Sequence, residues 1–129
     1  MILVDTSVWI SYFRGTDRQL SARMHGLLDE DQIALAIPVK IEILGGSPSR
    51  ESARLRSVLE ALPVFYPSRH TWELMEGWIE RAVDRGERFG VADLLIAALA
   101  AERGALLWSL DREFARMQKL RFVRLYRPS

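Results

Sequence analysis

The chain contains no cysteine, which excludes disulfide staples and thiolate zinc sites. It has only two histidines, His25 and His70, both far in sequence from the acidic segments described below, and structural or surface roles are expected for them. No apolar run is long enough to cross a bilayer, and Met1-Ile-Leu-Val-Asp5 lacks the charged flank and long apolar stretch of a signal peptide. A soluble cytoplasmic protein without membrane association is the expectation. A Walker-type phosphate loop is absent, and Gly45-Gly46 reads as a helix stop. Lysine is nearly missing too: of 18 basic residues only Lys40 and Lys119 are lysine. The remaining sixteen are arginine, whose planar fork donates in pairs to phosphate oxygens, although genome bias also enriches arginine. The formal net charge is only +1.

What is present fits one globular domain spanning residues 1–129, with 49% hydrophobic residues to build a core. Ile2-Leu-Val4, Ile33 to Ile37, Val64-Phe-Tyr66, Ala105 to Trp108 and Phe122 to Leu125 are short apolar runs of the kind found in strands covered on both faces. Helical periods lie between them. Leu20, Met24, Leu27 and Leu28 share one face, as do Leu55, Val58, Leu59 and Leu62, and then Trp72, Met75, Ile79 and Ala82. Strands alternating with helices predict a mainly parallel α/β sheet flanked by helices, with Gly45-Gly-Ser-Pro48, Pro63, Pro67 and Gly104 at the connections. The segment from about Val91 to Arg103 is apolar on every side and predicts a core helix.

Four acids sit where these elements begin or end. Asp5 follows the first strand, Glu42 lies in the apolar segment Pro38 to Gly45, Asp93 opens the core helix, and Asp111 follows a late strand. Each has an ordinary alternative: Asp5 and Asp111 as helix caps, Asp93 as a first-turn acid favoured by the helix dipole, Glu42 on the solvated side of a short helix. Their common placement argues for more. Ligands of open α/β sheets bind outside the carboxyl ends of strands, where strand order reverses, and Asp5 and Asp111 meet there if the first and fourth strands are neighbours. A pair of carboxylates at ~4 Å repels by about 4 kcal/mol at an effective dielectric near 20, so such a cluster needs protons or cations. An all-oxygen donor set selects Mg²⁺ or Mn²⁺ over zinc or copper.

The segments Ile2-Leu-Val-Asp5-Thr-Ser-Val-Trp9, Pro38-Val-Lys-Ile-Glu42-Ile-Leu-Gly45, Gly90-Val-Ala-Asp93-Leu-Leu-Ile-Ala-Ala98 and Leu107-Trp-Ser-Leu-Asp111-Arg-Glu-Phe114 resemble, in order and spacing, the acidic motifs of PIN-domain ribonucleases, especially VapC-type toxins. The resemblance covers essentially the whole chain. It implies a PIN-like three-layer fold with a five-stranded sheet of order 3-2-1-4-5, metal-dependent RNA cleavage, a homodimer, and neutralisation by an antitoxin. On this reading Asp5, Asp93 and Asp111 hold Mg²⁺ or Mn²⁺, and Glu42 completes the site as an outer ligand or orients the attacking water. Two positions depart from the family pattern: Ser109 stands where Thr is common, and Glu113 where many members have a further Asp, which leaves the role of this fifth acid open. Arg14, Arg18, Arg85, Arg88, Arg112 and Arg116 flank the acidic segments and are candidates to hold RNA phosphates.

Two other classes compete. A catalytically silent PIN-like binding module keeps the fold without chemistry, but retention of all four acids argues against it. A phosphoacceptor signalling domain shares the length and architecture but needs an Asp after the third strand, where this chain has Tyr66-Pro67. A protein partner is expected on the first helix. Val8, Trp9, Tyr12 and Phe13, with Ile10, span roughly 200° of apolar surface, whereas one core-facing stripe needs little more than about 100°. With the resemblance, this surface predicts an antitoxin groove.

Overall fold

The computed structural model describes residues 1–46 and 52–128, so the proposed breakers Ser47 and Pro48 lie outside the described residues. The first strand, β1 (Ile2–Val4), is buried along its whole length. On one side it pairs in parallel with β2 (Ile33–Ala36), Ile2 opposite Ile33. On the other it pairs in parallel with β4 (Leu106–Trp108), Val4 opposite Trp108. A two-residue strand, β3 (Val64–Phe65), extends the sheet from β2, giving the order β3-β2-β1-β4. The strands consist of apolar residues because helices cover both faces. Those helices are α1 (Thr6–Arg14), α2 (Arg18–Asp29), α3 (Ile37–Gly46), α4 (Ser52–Glu60), α5 (Arg69–Asp84), α6 (Val91–Glu102) and α7 (Glu113–Lys119).

The expected fifth strand is not formed, and the sheet has four strands. The segment Phe122 to Leu125 contributes one isolated parallel bridge, Leu107 with Leu125. Two backbone bonds accompany it: the Leu107 N–H donates to Arg124 O (2.9 Å) and the Tyr126 N–H to Leu107 O (2.8 Å). The reason is local. Arg121 turns the chain at φ 63°, Phe122 is drawn under α5 to stack on Trp78 (centroids 4.6 Å apart), and the Leu125 N–H goes to the Gln118 side chain at 2.8 Å. The turn and the buried Phe122 let the segment reach β4 only from Arg124 onward, so a single bridge forms.

α6 is the helix expected in the core: Leu94, Ile96, Ala97, Ala98, Leu99 and Ala100 are all buried between the sheet and α5. It ends at Gly104, whose φ of +63° lets the Ala105 N–H reach back to Ala100 O (2.9 Å) and drops the chain into β4. On α5 the buried face differs from the expected one. Thr71, Met75, Trp78 and Ala82 face inward, and Trp72 and Ile79 are exposed. Thr71 is tolerated inside because its hydroxyl donates to Glu102 (2.5 Å) and accepts from the Ser68 N–H (2.9 Å).

The apolar surface of α1 is also narrower than expected. Val8 and Trp9 are 0% exposed and belong to the core, where Trp9 stacks on Phe13. Ile10 and Phe13 stay exposed and Tyr12 is half-buried, packed edge-on against His25 of α2. Val8 and Trp9 therefore cannot touch a partner without unpacking the helix.

Candidate active site

In a parallel sheet every strand ends on the same edge, and a crossover helix runs back against the strands. The start of α6 thus returns to the edge where β1 and β4 finish. β1 sends the chain to β2 on one side and has β4 on the other, so the crevice at the carboxyl ends of β1 and β4 is the reversal point where ligands bind.

Asp5 leaves β1 at this crevice with its N–H bonded to Trp108 O (2.9 Å), and it is 7% exposed. It occupies the N-cap position of α1, yet its side chain makes no capping bond. Instead Oδ2 accepts from the hydroxyls of Ser7 (2.9 Å) and Ser109 (2.7 Å), which leaves Oδ1 for another ligand. The capping alternative for Asp5 is thereby removed. The two serines knit the turns after β1 and β4 together: the Leu110 N–H donates to Ser7 Oγ (3.0 Å) and the Asp111 N–H to Ser109 Oγ (2.9 Å).

Asp111 is exposed and does have a local structural role, since its Oδ1 accepts the Glu113 N–H at 2.9 Å in an Asx-type turn that starts α7. Asp93 is half-buried in the first turn of α6. Asp93, Asp111 and Glu113 each offer a carboxylate oxygen, and the three lie within 4.8 Å of one another. Glu113, whose role was open, is therefore inside the group. The sequence signal was its place two residues after Asp111, on the first turn of a helix that begins at the crevice. Glu42 stays outside this close group, exposed in the second turn of α3. Its neighbour Ile41 is 61% exposed, so the apolar setting inferred for Glu42 does not hold at that face.

The electrostatics follow from the crowding. Burial pushes the Asp93 carboxyl from 3.8 up to about 7, helped by a hydrogen bond with Glu113 and then by the charges of Glu113, Asp111 and Asp5. No arginine, lysine or histidine forms an ion pair with Asp5, Asp93 or Asp111 among the described residues. Only Glu113 has a cation nearby, Arg116 at 3.8 Å, and that guanidinium is already committed to Glu87 in the α5–α6 connection. A crowded set of oxygen donors, one of them with its carboxyl pushed up to about 7, fits a hard divalent cation. His25 and His70 take no part: His25 packs on Tyr12, and His70 lies 4.0 Å from Glu102.

Comparison with known proteins agrees with this geometry. Residues 2–120 match the family model described as PIN domain. The chain is 35% identical over 122 residues to VapC ribonuclease Mb1587 of Mycobacterium bovis, covering 88% of this chain and 89% of that one. It is 34% identical over 113 residues to ribonuclease VapC32 of Mycobacterium tuberculosis, covering 87% and 86%. The fold superposes with a TM-score of 0.81 on DNA-bound VapBC from Salmonella typhimurium, at 18% identity and covering 97% of this chain and 96% of that one. A sheet edge that gathers the acids, a full-length family match and relatives at this identity lead to one conclusion: the chain belongs to the PIN-domain family, in which the relatives it matches are VapC ribonucleases.

Proposed function

We propose that the protein is a metal-dependent endoribonuclease, the toxin of a toxin–antitoxin pair, that hydrolyses RNA phosphodiester bonds with the acids gathered at the β1/β4 crevice. The observation that carries this reading is the convergence there of Asp93, Asp111 and Glu113 beside Asp5, with no ion pair to Asp5, Asp93 or Asp111 among the described residues. Asp5, Asp93 and Asp111 would hold Mg²⁺ or Mn²⁺, with Glu113, which lies in the same close group as Asp93 and Asp111, beside them. Glu42, exposed on α3 outside the close group, is retained in the proposal as an outer ligand or as the group that orients the attacking water. When bound, the cation supplies Lewis-acid stabilisation of the charge that develops on the phosphate and lowers the pKa of nearby water.

The chain's own groups do the rest. Ser7 and Ser109 hold Asp5 through Oδ2, and the Asp111 turn fixes the start of α7 and with it Glu113. Asp93, its carboxyl pushed up to about 7, would have to be deprotonated to hold the cation. Water attack leaves a 5′-phosphate and a 3′-hydroxyl, and needs neither the RNA 2′-oxygen nor a histidine pair.

Similar structures are named a toxin–antitoxin complex from Klebsiella pneumoniae and a member of the VapBC family of toxin–antitoxin systems from Mycobacterium tuberculosis, which supports an antitoxin as the partner here; a homodimer is part of the same proposal. On α1 the surface left for that partner is Ile10, Phe13 and the edge of Tyr12. The test is cleavage of cellular RNA by the purified chain with Mg²⁺, Mn²⁺ or excess chelator, followed by analysis of the new ends. Undiminished cleavage in chelator, or 2′,3′-cyclic phosphate ends, overturns the mechanism.

A further inference from the structure

Away from the acids, α5 and α7 end side by side and enclose a cleft of about 480 Å³ lined by Arg81, Asp84, Arg85, Lys119, Leu120 and Arg121. Four cations face one carboxylate. The carbonyl ends of two helices contribute about −0.5 charge each, which still leaves about +2 in the cleft. Arg81 is already placed, donating to Leu120 O at 2.6 Å and lying 4.9 Å over the Phe122 ring. Arg85, Lys119 and Arg121 take part in no ion pair among the described residues.

Arg121 adds a second, independent observation. Its φ of +63° is the left-handed conformation that follows a helix end, with its N–H bonded to Gln118 O and the Phe122 N–H to Met117 O. Glycine is the residue suited to that position, because a Cβ is strained there. An arginine at a strained position, with no side-chain bond of its own and lining a positive cleft, points to a function for the guanidinium.

We propose that this cleft grips the phosphodiester backbone of the RNA beside the scissile bond, a proposal that rests on the ribonuclease reading above. α7 connects the two places: it begins at Glu113 in the acidic group and ends at Lys119 in the cleft. Six residues of helix rise about 9 Å, the span of two to three stacked nucleotides at about 3.4 Å each. Arg116, between them, is paired with Glu87 and Glu113, so within α7 the unpaired positive charge is Lys119, at the cleft. Leu120 is the one apolar side chain in the lining, so a polyanion fits the cleft better than an amphipathic peptide.

The test uses the full chain and two readouts. Binding of a fluorescein-labelled, randomised single-stranded RNA is measured by anisotropy in the Asp93→Asn background, which prevents cleavage, across a salt series. Adding Arg85→Ala and Lys119→Ala should weaken binding about tenfold and reduce the slope of log K against log salt by about 1.4, two lost phosphate contacts at about 0.7 each. In the otherwise wild-type chain the same pair should raise KM for long RNA and leave kcat, and cleavage of a short oligonucleotide spanning only the cut site, unchanged. Arg121→Gly should raise the melting temperature and yet weaken RNA binding, a combination that a purely structural arginine does not produce. If the parent chain cuts and binds RNA but the cleft variants match it in affinity and salt slope, the cleft proposal is wrong and the ribonuclease reading stands. If the parent neither binds nor cuts RNA, both fall.

Discussion

Replacing Asp93 by Asn should make the metal-free protein more stable at neutral and alkaline pH and leave its stability at acid pH unchanged. In the folded chain the Asp93 carboxyl is pushed from 3.8 up to about 7, first by burial, then by the hydrogen bond and charge of Glu113 and the charges of Asp111 and Asp5. Between those two values the native state keeps a proton that the unfolded state has released. Native stability is therefore highest below the unfolded value and is lost as pH rises through the folded one. Each pKa unit corresponds to about 1.4 kcal/mol, so a wholly buried group shifted this far forfeits about 4 kcal/mol. Asp93 is only half-buried, and solvent screening brings the effect to about 1 to 2 kcal/mol. For a domain of this size that is a melting-temperature difference of about 3 to 8 °C. Thermal melts in chelator, at steps from about pH 4 to about pH 8.5, give the profiles of the wild type and Asp93→Asn. The two should coincide at the acid end and diverge as pH rises, with the variant higher. Parallel profiles, or a variant that is less stable at alkaline pH, refute the account of a crowded, charge-starved cluster.

Excess Mn²⁺ should reverse the order: at about 100 times its dissociation constant a bound ion stabilises the wild type by about 2.7 kcal/mol, and a thermal shift assay should show that gain missing from Asp93→Asn, together with loss of RNA cleavage. Ser109→Ala removes a hydroxyl bonded to Asp5 Oδ2 at 2.7 Å and should lower activity about 10- to 100-fold with little change in secondary structure, measured by steady-state cleavage and circular dichroism. Trp9→Ala empties a fully buried site and should destabilise by about 3 to 5 kcal/mol in urea titration, whereas Phe13→Ala should leave the fold nearly as stable and weaken the antitoxin complex in a pull-down titration. His25→Ala and His70→Ala should cleave RNA at the wild-type rate.

Much of the site was legible because its acids sit at grammatical positions of an α/β chain. Asp5 and Asp111 follow apolar runs and Asp93 opens one, so strand and helix ends could be located without a structure. Glu113 was visible as an acid but not as a site member, because its inclusion depends on how the Asp111 turn launches α7. Glu42 shows the opposite failure, an apolar context in sequence that becomes an exposed helix face in space. On α5 hydrophobicity favoured Trp72 over Thr71, since a pattern of residue types cannot anticipate that Ser68 and Glu102 satisfy the threonine hydroxyl. The missing fifth strand has a similar origin. Phe122 to Leu125 has strand-like composition, but the turn at Arg121 and the stacking of Phe122 on Trp78 let the segment meet β4 only from Arg124 onward.

The pairing of β1 with β4 has a consequence for how the activity comes into being. β1 finds β2 after about thirty residues of chain, but its other edge stays open until Leu106–Trp108 has been made. Contacts of such long sequence separation form late, after the loop-closure cost has been met. Asp5 and the Ser109 hydroxyl that holds it are 104 residues apart in sequence. A growing chain therefore carries an incomplete cluster until Leu106–Trp108 has been made and has closed on β1, however much of the β1/β2 side has already formed.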